Sequence, residues 1–352
     1  MSIQERKKDT LYMSIPVFCS YIRRKDMDIV LNCLVTDSVG PGEYLERFQK
    51  SAREALGYDY GFAVRSPVEA LACALDTLGL TEGDAVAVPA LAPAYYLSVL
   101  ASRRLLPVFV DAMQEDSAPD LDSFGSLTPK PKAFVLFESL GILPDPEAVR
   151  ALGVPTIEDL SQSLGAYSGA YRAGSIGQLA FMGLEHGCLI TSGGGGLLFA
   201  HGRREGSVLR NFVETIPTES RMTDYNAALG FAQLKEMEAS ISKRRELASM
   251  FAQSLARTRH RLIAQKGDGE PGFWALPVSL ASGMKDVRAY AAKKEIDTAP
   301  AFEKSIVGSG FVPEGACPNA RSFLLRCLLF PLHQRIGATG AQKIAKVLAT
   351  LP

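Results

Sequence analysis

Short apolar runs rich in β-branched and aromatic residues punctuate the chain between about residues 55 and 200. They are Ala85–Val88, Pro107–Val110, Ala133–Phe137, Pro155–Ile157, Ala180–Leu184 and Gly196–Ala200. Helix-like segments such as Pro67–Leu78 and Pro146–Leu152 lie between several of them. Strands this short, apolar on both faces and separated by helices, predict crossover units and a mostly parallel sheet covered by helices. A long helix is expected from about Thr223, with Leu229, Leu234, Met237 and Ile241 on one face. Beyond it, Phe273–Leu280 reads as a strand, Lys285–Lys294 as a helix, Leu328–His333 as a strand, and a last helix follows Thr339. The expected organisation is an N-terminal arm over 1–37, a large α/β domain over 38–240 and a smaller α+β domain over 241–352.

Composition narrows the function classes. Hydrophobic residues make up 47% and charged residues 22%, and the formal net charge is zero. Such a chain carries no electrostatic footprint for nucleic acid or an acidic membrane surface. Six scattered cysteines, with no C-x-x-C pair and no metal-ligand spacing to the four histidines, suit a reducing cytoplasm. Residues 1–10 are polar and lack the apolar core of a secretory signal. The longest apolar stretch, Ala85–Ser102, is interrupted by Pro89, Pro93 and Ser98, and reads as strand, turn and helix rather than a membrane span. The charge run Lys243–Arg245 reads as a solvated helix face.

In open parallel sheets, ligands bind beyond the carboxyl ends of strands. Asp111, Glu158, Asp159 and the segment Glu185–Cys188 each follow an expected strand, which makes them candidates for chemistry. The Gly193–Gly196 run lacks the lysine and hydroxyl of a phosphate loop and reads as a close-packing turn before a strand.

Three segments, in order, carry a resemblance. They are Glu158-Asp-Leu-Ser-Gln-Ser-Leu-Gly-Ala166, Leu189-Ile-Thr-Ser-Gly-Gly-Gly-Gly196 and Arg221-Met-Thr-Asp-Tyr-Asn-Ala-Ala-Leu-Gly-Phe-Ala-Gln-Leu234. Together they resemble the DegT/StrS family of sugar aminotransferases, which depend on pyridoxal phosphate (PLP). The resemblance runs from Ile15-Pro16 to Pro331-Leu-His333. It implies a type I PLP-transferase fold and a dimer with shared active sites. It places Asp159 beside the cofactor's ring nitrogen, where a carboxylate raises that nitrogen's pKa, and Gln162 against the ring face and its oxygen. Ser66 is a retained position of the phosphate cradle. His333 falls in a family segment where a structural role is expected.

The chain departs from the family at the same site. Cys188 stands at the position of the Schiff-base lysine, and no lysine occurs between Lys132 and Lys235. His186 is two positions too early to match the histidine that replaces this lysine in a dehydratase group. Pro67 and Val68 take the places of a backbone donor and a hydroxyl in the phosphate cradle. Gly183 replaces a serine, Pro93 replaces the stacking aromatic, and Glu219 aligns with an asparagine lent by the partner subunit. No catalytic residue is therefore assigned. The expectation is a protein that does not transaminate and carries no cofactor, with non-covalent PLP as one alternative and Cys188 as a nucleophile, with His186 or Glu185 as its base, as another. Expected partners are a second copy or an active relative, with a nucleotide-sugar as candidate ligand.

Overall fold

A computed structural model describes residues 14–352, so the N-terminal part of the arm, including the polar segment 1–10, lies outside the described residues. The central layer is a seven-stranded sheet. Its strands are β1 (Tyr60–Val64), β2 (Ala85–Pro89), β3 (Leu106–Val110), β4 (Ala133–Phe137), β5 (Thr156–Asp159), β8 (Leu179–Gly183) and β9 (Gly196–Ala200), in the order β1-β9-β8-β5-β4-β2-β3. The five strands from β8 to β3 are parallel, and β9 runs antiparallel to both β1 and β8. β6 (Tyr167–Ser168) and β7 (Tyr171–Arg172) form a hairpin that pairs with β11 (Gly269–Glu270). The expected strands of this sheet appear within a residue or two; in the C-terminal part the strands expected at Phe273–Leu280 and Leu328–His333 are the shorter Leu276–Ser279 and Cys327–Phe330. β1 is an addition: its alternating burial gave a weaker signal than the wholly buried runs β2, β4, β8 and β9.

Helices cover this sheet: α1 (Arg24–Val35), α2 (Glu43–Leu56), α3 (Pro67–Thr77), α4 (Tyr95–Ser102), α5 (Pro146–Ala151), α6 (Arg203–Thr215) and α7 (Asp224–Leu234). α3 begins for clear local reasons: Ser66 caps it, and Pro67 occupies the first turn, where a missing N–H costs nothing. α2 lacks a cap of its own. Asp224, at the start of α7, supplies one by accepting from Gly42, Tyr44 and Leu45 N–H at 2.8, 3.2 and 2.9 Å. The long helix expected from Thr223 is two helices, because the chain breaks at Lys235-Glu236 before α8 (Met237–Leu255).

The C-terminal part packs its own apolar cluster, with Leu247, Phe251, Val278, Phe330 and Ile344 at its centre. It contains α9 (Met284–Lys293), α10 (Pro318–Arg326), α11 (Ala338–Leu348) and a four-stranded antiparallel sheet. Those strands are β10 (Arg261–Leu262), β12 (Leu276–Ser279), β14 (Cys327–Phe330) and β13 (Ala299–Pro300). Among the described residues no helix is long and apolar enough to cross a membrane.

The charge run Lys243–Arg245 is not uniformly solvated. Lys243 and Arg245 pair with Glu246 and Glu270 at the surface, but Arg244 is only 6% exposed. It sits on the face of α8 that also buries Ile241 and Leu247, as 3.6-residue periodicity requires.

Candidate active site

The carboxyl ends of β4, β5 and β8 place three acids close together, and they serve different ends. Glu158 and Asp159 are adjacent on β5, so their side chains leave opposite faces of the sheet. Glu158 accepts from Gly174, Ile176 and Gly177 N–H at 2.9, 2.8 and 2.6 Å, and so fixes the loop before β8. Glu138, after β4, is fully buried; burial and the neighbouring Glu158 hold its carboxyl well above the usual range, and Ser163 donates to it. Asp111 is also structural. It accepts from Asn319 and Ala320 N–H at 3.1 and 2.8 Å and thereby caps α10.

Asp159 is 1% exposed, and protein groups already engage both its oxygens. Tyr96 O–H donates to Oδ2 at 2.5 Å. Ser161 donates to Oδ1 through its N–H at 2.9 Å and also through its hydroxyl. Burial raises the pKa of Asp159 to about 6, and these donors limit the rise. Tyr96 is wholly buried, with its ring edge-on to Phe137. Nothing in the local sequence of either residue signals this contact, which spans 63 positions.

After Gly183 the chain leaves β8 and turns. Cys188 N–H donates to the Glu185 carbonyl at 3.0 Å, and the thiol lies 3.4 Å from Glu185 Oε2. Burial first, and Glu185 second, push the Cys188 thiol well above its ordinary pKa. A thiol donating to a carboxylate is a poor nucleophile. The strand geometry that would put Cys188 and His186 on one face does not form, because both lie in the turn, with His186 exposed. A side chain at Gly183 would meet Glu185 Oε2 at 2.2 Å from its Cβ, so the Glu185 carboxylate occupies the space a serine would use.

The start of α3 forms the third part of the site. Ser66 Oγ accepts from Glu69 N–H at 3.3 Å and so caps the helix. Pro67 is buried without an N–H to offer, and Val68 is 41% exposed. Glu69 adds an acid in the first turn, and its buried Oε2 has no hydrogen-bond partner. Sequence reasoning passed over Glu69, although an acid three residues after Ser66 was legible. The glycine run lies alongside: Gly193, Gly194 and Gly195 all have positive φ, and a Cβ at Gly196 would fall 2.7 Å from the Ser66 carbonyl. Arg221 pairs with Val64, and Asn226 donates to the Ser192 carbonyl at 2.5 Å, so the Arg221–Asn226 segment packs on the same corner. Glu219 is exposed in the turn Thr218–Ser220 at its edge.

Gln162 faces a different space. Its Oε1 accepts from Leu140 N–H at 2.7 Å, and its side chain helps line a cavity of about 320 Å³ with Pro93, Phe18, Phe137, Trp274 and Lys304. The Trp274 ring lies 4.8 Å from that of Phe18, and its indole N–H donates to the Gly187 carbonyl at 2.9 Å, next to Cys188. Phe18, Trp274 and Lys304 come from distant segments, and no motif announced them. His333 is buried; its Nε2 bonds to the Pro16 carbonyl at 3.0 Å, and burial lowers its pKa to about 4. It ties the arm to the C-terminal part.

Comparisons with known proteins agree with this architecture. GDP-perosamine synthase of Escherichia coli O157:H7 is 26% identical over 311 residues, covering 82% of this chain and 84% of that protein. The putative pyridoxal phosphate-dependent aminotransferase EpsN of Bacillus subtilis is 22% identical, covering 83% and 81%. Among solved structures, the aminotransferase TlmJ from Streptoalloteichus hindustanus superposes with a TM-score of 0.86 at 21% identity, covering 95% of this chain and 98% of that one. An Escherichia coli GDP-4-keto-6-deoxy-D-mannose-3-dehydratase superposes with a TM-score of 0.85 at 18% identity, covering 96% and 100%. The fold is the type I fold of PLP-dependent aminotransferases. The DegT/DnrJ/EryC1/StrS aminotransferase family matches residues 20–349, and the chain belongs to that family.

Proposed function

We propose that this chain is a non-transaminating member of its family that keeps the scaffold as a binding subunit in amino-sugar or surface-polysaccharide biosynthesis. One feature carries the reading: Cys188 stands where the family resemblance puts the Schiff-base lysine, and its thiol donates to Glu185 Oε2. The rest of the site agrees. Both Asp159 oxygens already accept bonds from Tyr96 and Ser161, which compete with a ring nitrogen for the carboxylate. The phosphate cradle lacks an N–H at Pro67 and a hydroxyl at Val68, and Glu69 stands in the same first turn. Each missing charge-assisted bond costs roughly 1.5–3 kcal/mol, so two or three lost together weaken phosphate binding about a thousandfold or more. The residues present do not fit pyridoxal phosphate. The same protonated thiol argues against Cys188 as a nucleophile.

The cavity between Gln162, Trp274 and Lys304 is the place we assign to a nucleotide-sugar, the ligand class named for the relative GDP-perosamine synthase. Its aromatic walls suit the face of a ring, and the Lys304 ammonium suits a diphosphate. We assign the pairing surface to the arm and α1. There Tyr21, Met27, Leu31 and Leu34 are 42–57% exposed, the last three at helical i, i+4, i+7 spacing, and the occupant is a second copy of this chain. The six cysteines are all free, which suits a reducing cytoplasm.

Calorimetry with GDP- and dTDP-linked deoxysugars, alongside a turnover assay with glutamate and added PLP, tests this reading. Binding without amino-sugar product is the expected result. Amino-sugar product formed at a rate typical of the family would overturn it, and no heat with any nucleotide-sugar would overturn the ligand assignment.

A further inference from the structure

Behind the Cys188 turn lies a small, partly open polar void bounded by Cys188, Thr191, Gln233, Ser240, Arg244 and Gln334, with the segment 19–21 as its outer wall. Its free volume is about 10 Å³, the space of a single water-sized particle. Arg244 is the unusual member. Its Nη1 donates to the carbonyls of Phe273 and Trp274 at 3.1 and 2.7 Å, but its Nε is buried with no hydrogen-bond partner. Burial lowers its pKa only to about 10, so the guanidinium is charged at neutral pH. Among the described residues no carboxylate forms an ion pair with it. Glu236, on the same wall, is held by Arg23 at 2.5 Å and Lys25 at 3.0 Å. Glu185 is engaged by the Cys188 thiol. The other nearby groups do not compensate a cation. Arg335 donates to Cys19 Sγ at 3.5 Å, and His333 is buried with an unpartnered Nδ1.

A buried charge is costly unless it is paired. We propose that this void is an anion site, taking one small monovalent anion of the size of chloride against Nε of Arg244. The anion neutralises the guanidinium that grips Phe273 and Trp274. Phe273 adopts φ +48°, a backbone conformation costly for a bulky side chain, so the grip has strain to hold. Trp274 in turn walls the 320 Å³ cavity and reaches Gly187. The anion therefore stiffens the cavity wall without entering the cavity. The proposal does not depend on what the cavity binds.

The test uses the full chain. Crystals grown or soaked in bromide should show an anomalous peak in direct contact with Arg244 Nε, as a charge-assisted bond requires. At constant ionic strength, replacing gluconate, which is too large to enter, with chloride should raise the melting temperature saturably by a few degrees. The variant Gln334→Glu places a fixed negative charge in the same void and should abolish that chloride dependence. A water peak without anomalous signal, identical melting in the two salts, or a chloride shift that survives in Gln334→Glu would each overturn the proposal.

Discussion

Tyr96 donates its hydroxyl proton to Asp159 Oδ2 at 2.5 Å, in a place where neither group meets solvent. This bond and the two from Ser161 turn a carboxylate that the family resemblance assigns to a cofactor into an internally satisfied group. Removing the hydroxyl tests how much depends on it. Tyr96→Phe should lower unfolding free energy by about 1–3 kcal/mol, since a buried carboxylate loses a donor. Denaturant titration measures the loss. A neutral result would mean that solvent already satisfies Oδ2.

Burial raises Asp159 to about 6 from 3.8, so the folded state holds its proton more tightly than the unfolded state. Its contribution to stability is fully present below the unfolded value and is lost as pH rises through 6. Asp159→Asn should flatten that part of the stability curve between pH 4 and 6, read by melting across the range.

His333 acts with the opposite sign. Its folded pKa of about 4 lies below the ordinary 6.5, so acidification favours the unfolded, protonated form. The protein should lose about 2 kcal/mol from this group by pH 5, with most of the loss beginning below the unfolded value. His333→Gln should remove that slope, though at a cost in stability at neutral pH.

Asp224 caps α2 from another helix. Asp224→Ala leaves three N–H groups without their acceptor and should cost about 2–4 kcal/mol, more than an ordinary cap because the site is buried. Asp224→Asn keeps an acceptor and should recover part of the loss. Equal destabilisation by both variants would show that the charge, rather than the hydrogen bonds, holds α2.

Much of this architecture was legible in the sequence because the parallel strands are short apolar runs and the helices between them begin with strong signals, such as Ser66-Pro67. Contacts between distant segments were not legible. Asp111 looked like a site residue because it follows a strand, yet its partners lie more than two hundred residues on, at the start of α10. Arg244 was hidden in a charge run because three adjacent basic residues cannot share one helix face, and periodicity alone did not say which would turn inward. The absence of any lysine between Lys132 and Lys235 was readable at once. The contacts that Tyr96 makes with Asp159, and Glu185 with Cys188, needed coordinates, since each acts through space, one across 63 positions and the other across a turn.

The central claim is that no lysine forms an imine here. Titrating the purified protein with PLP while recording absorbance from ~300 to ~500 nm, then reducing with borohydride and mapping adducts by mass spectrometry, tests it most directly. The account predicts no saturable band near ~410–430 nm beyond that of a control protein, and no site-specific adduct. A stoichiometric band that disappears on reduction, with the adduct on one lysine such as Lys304 at the cavity wall, would contradict it.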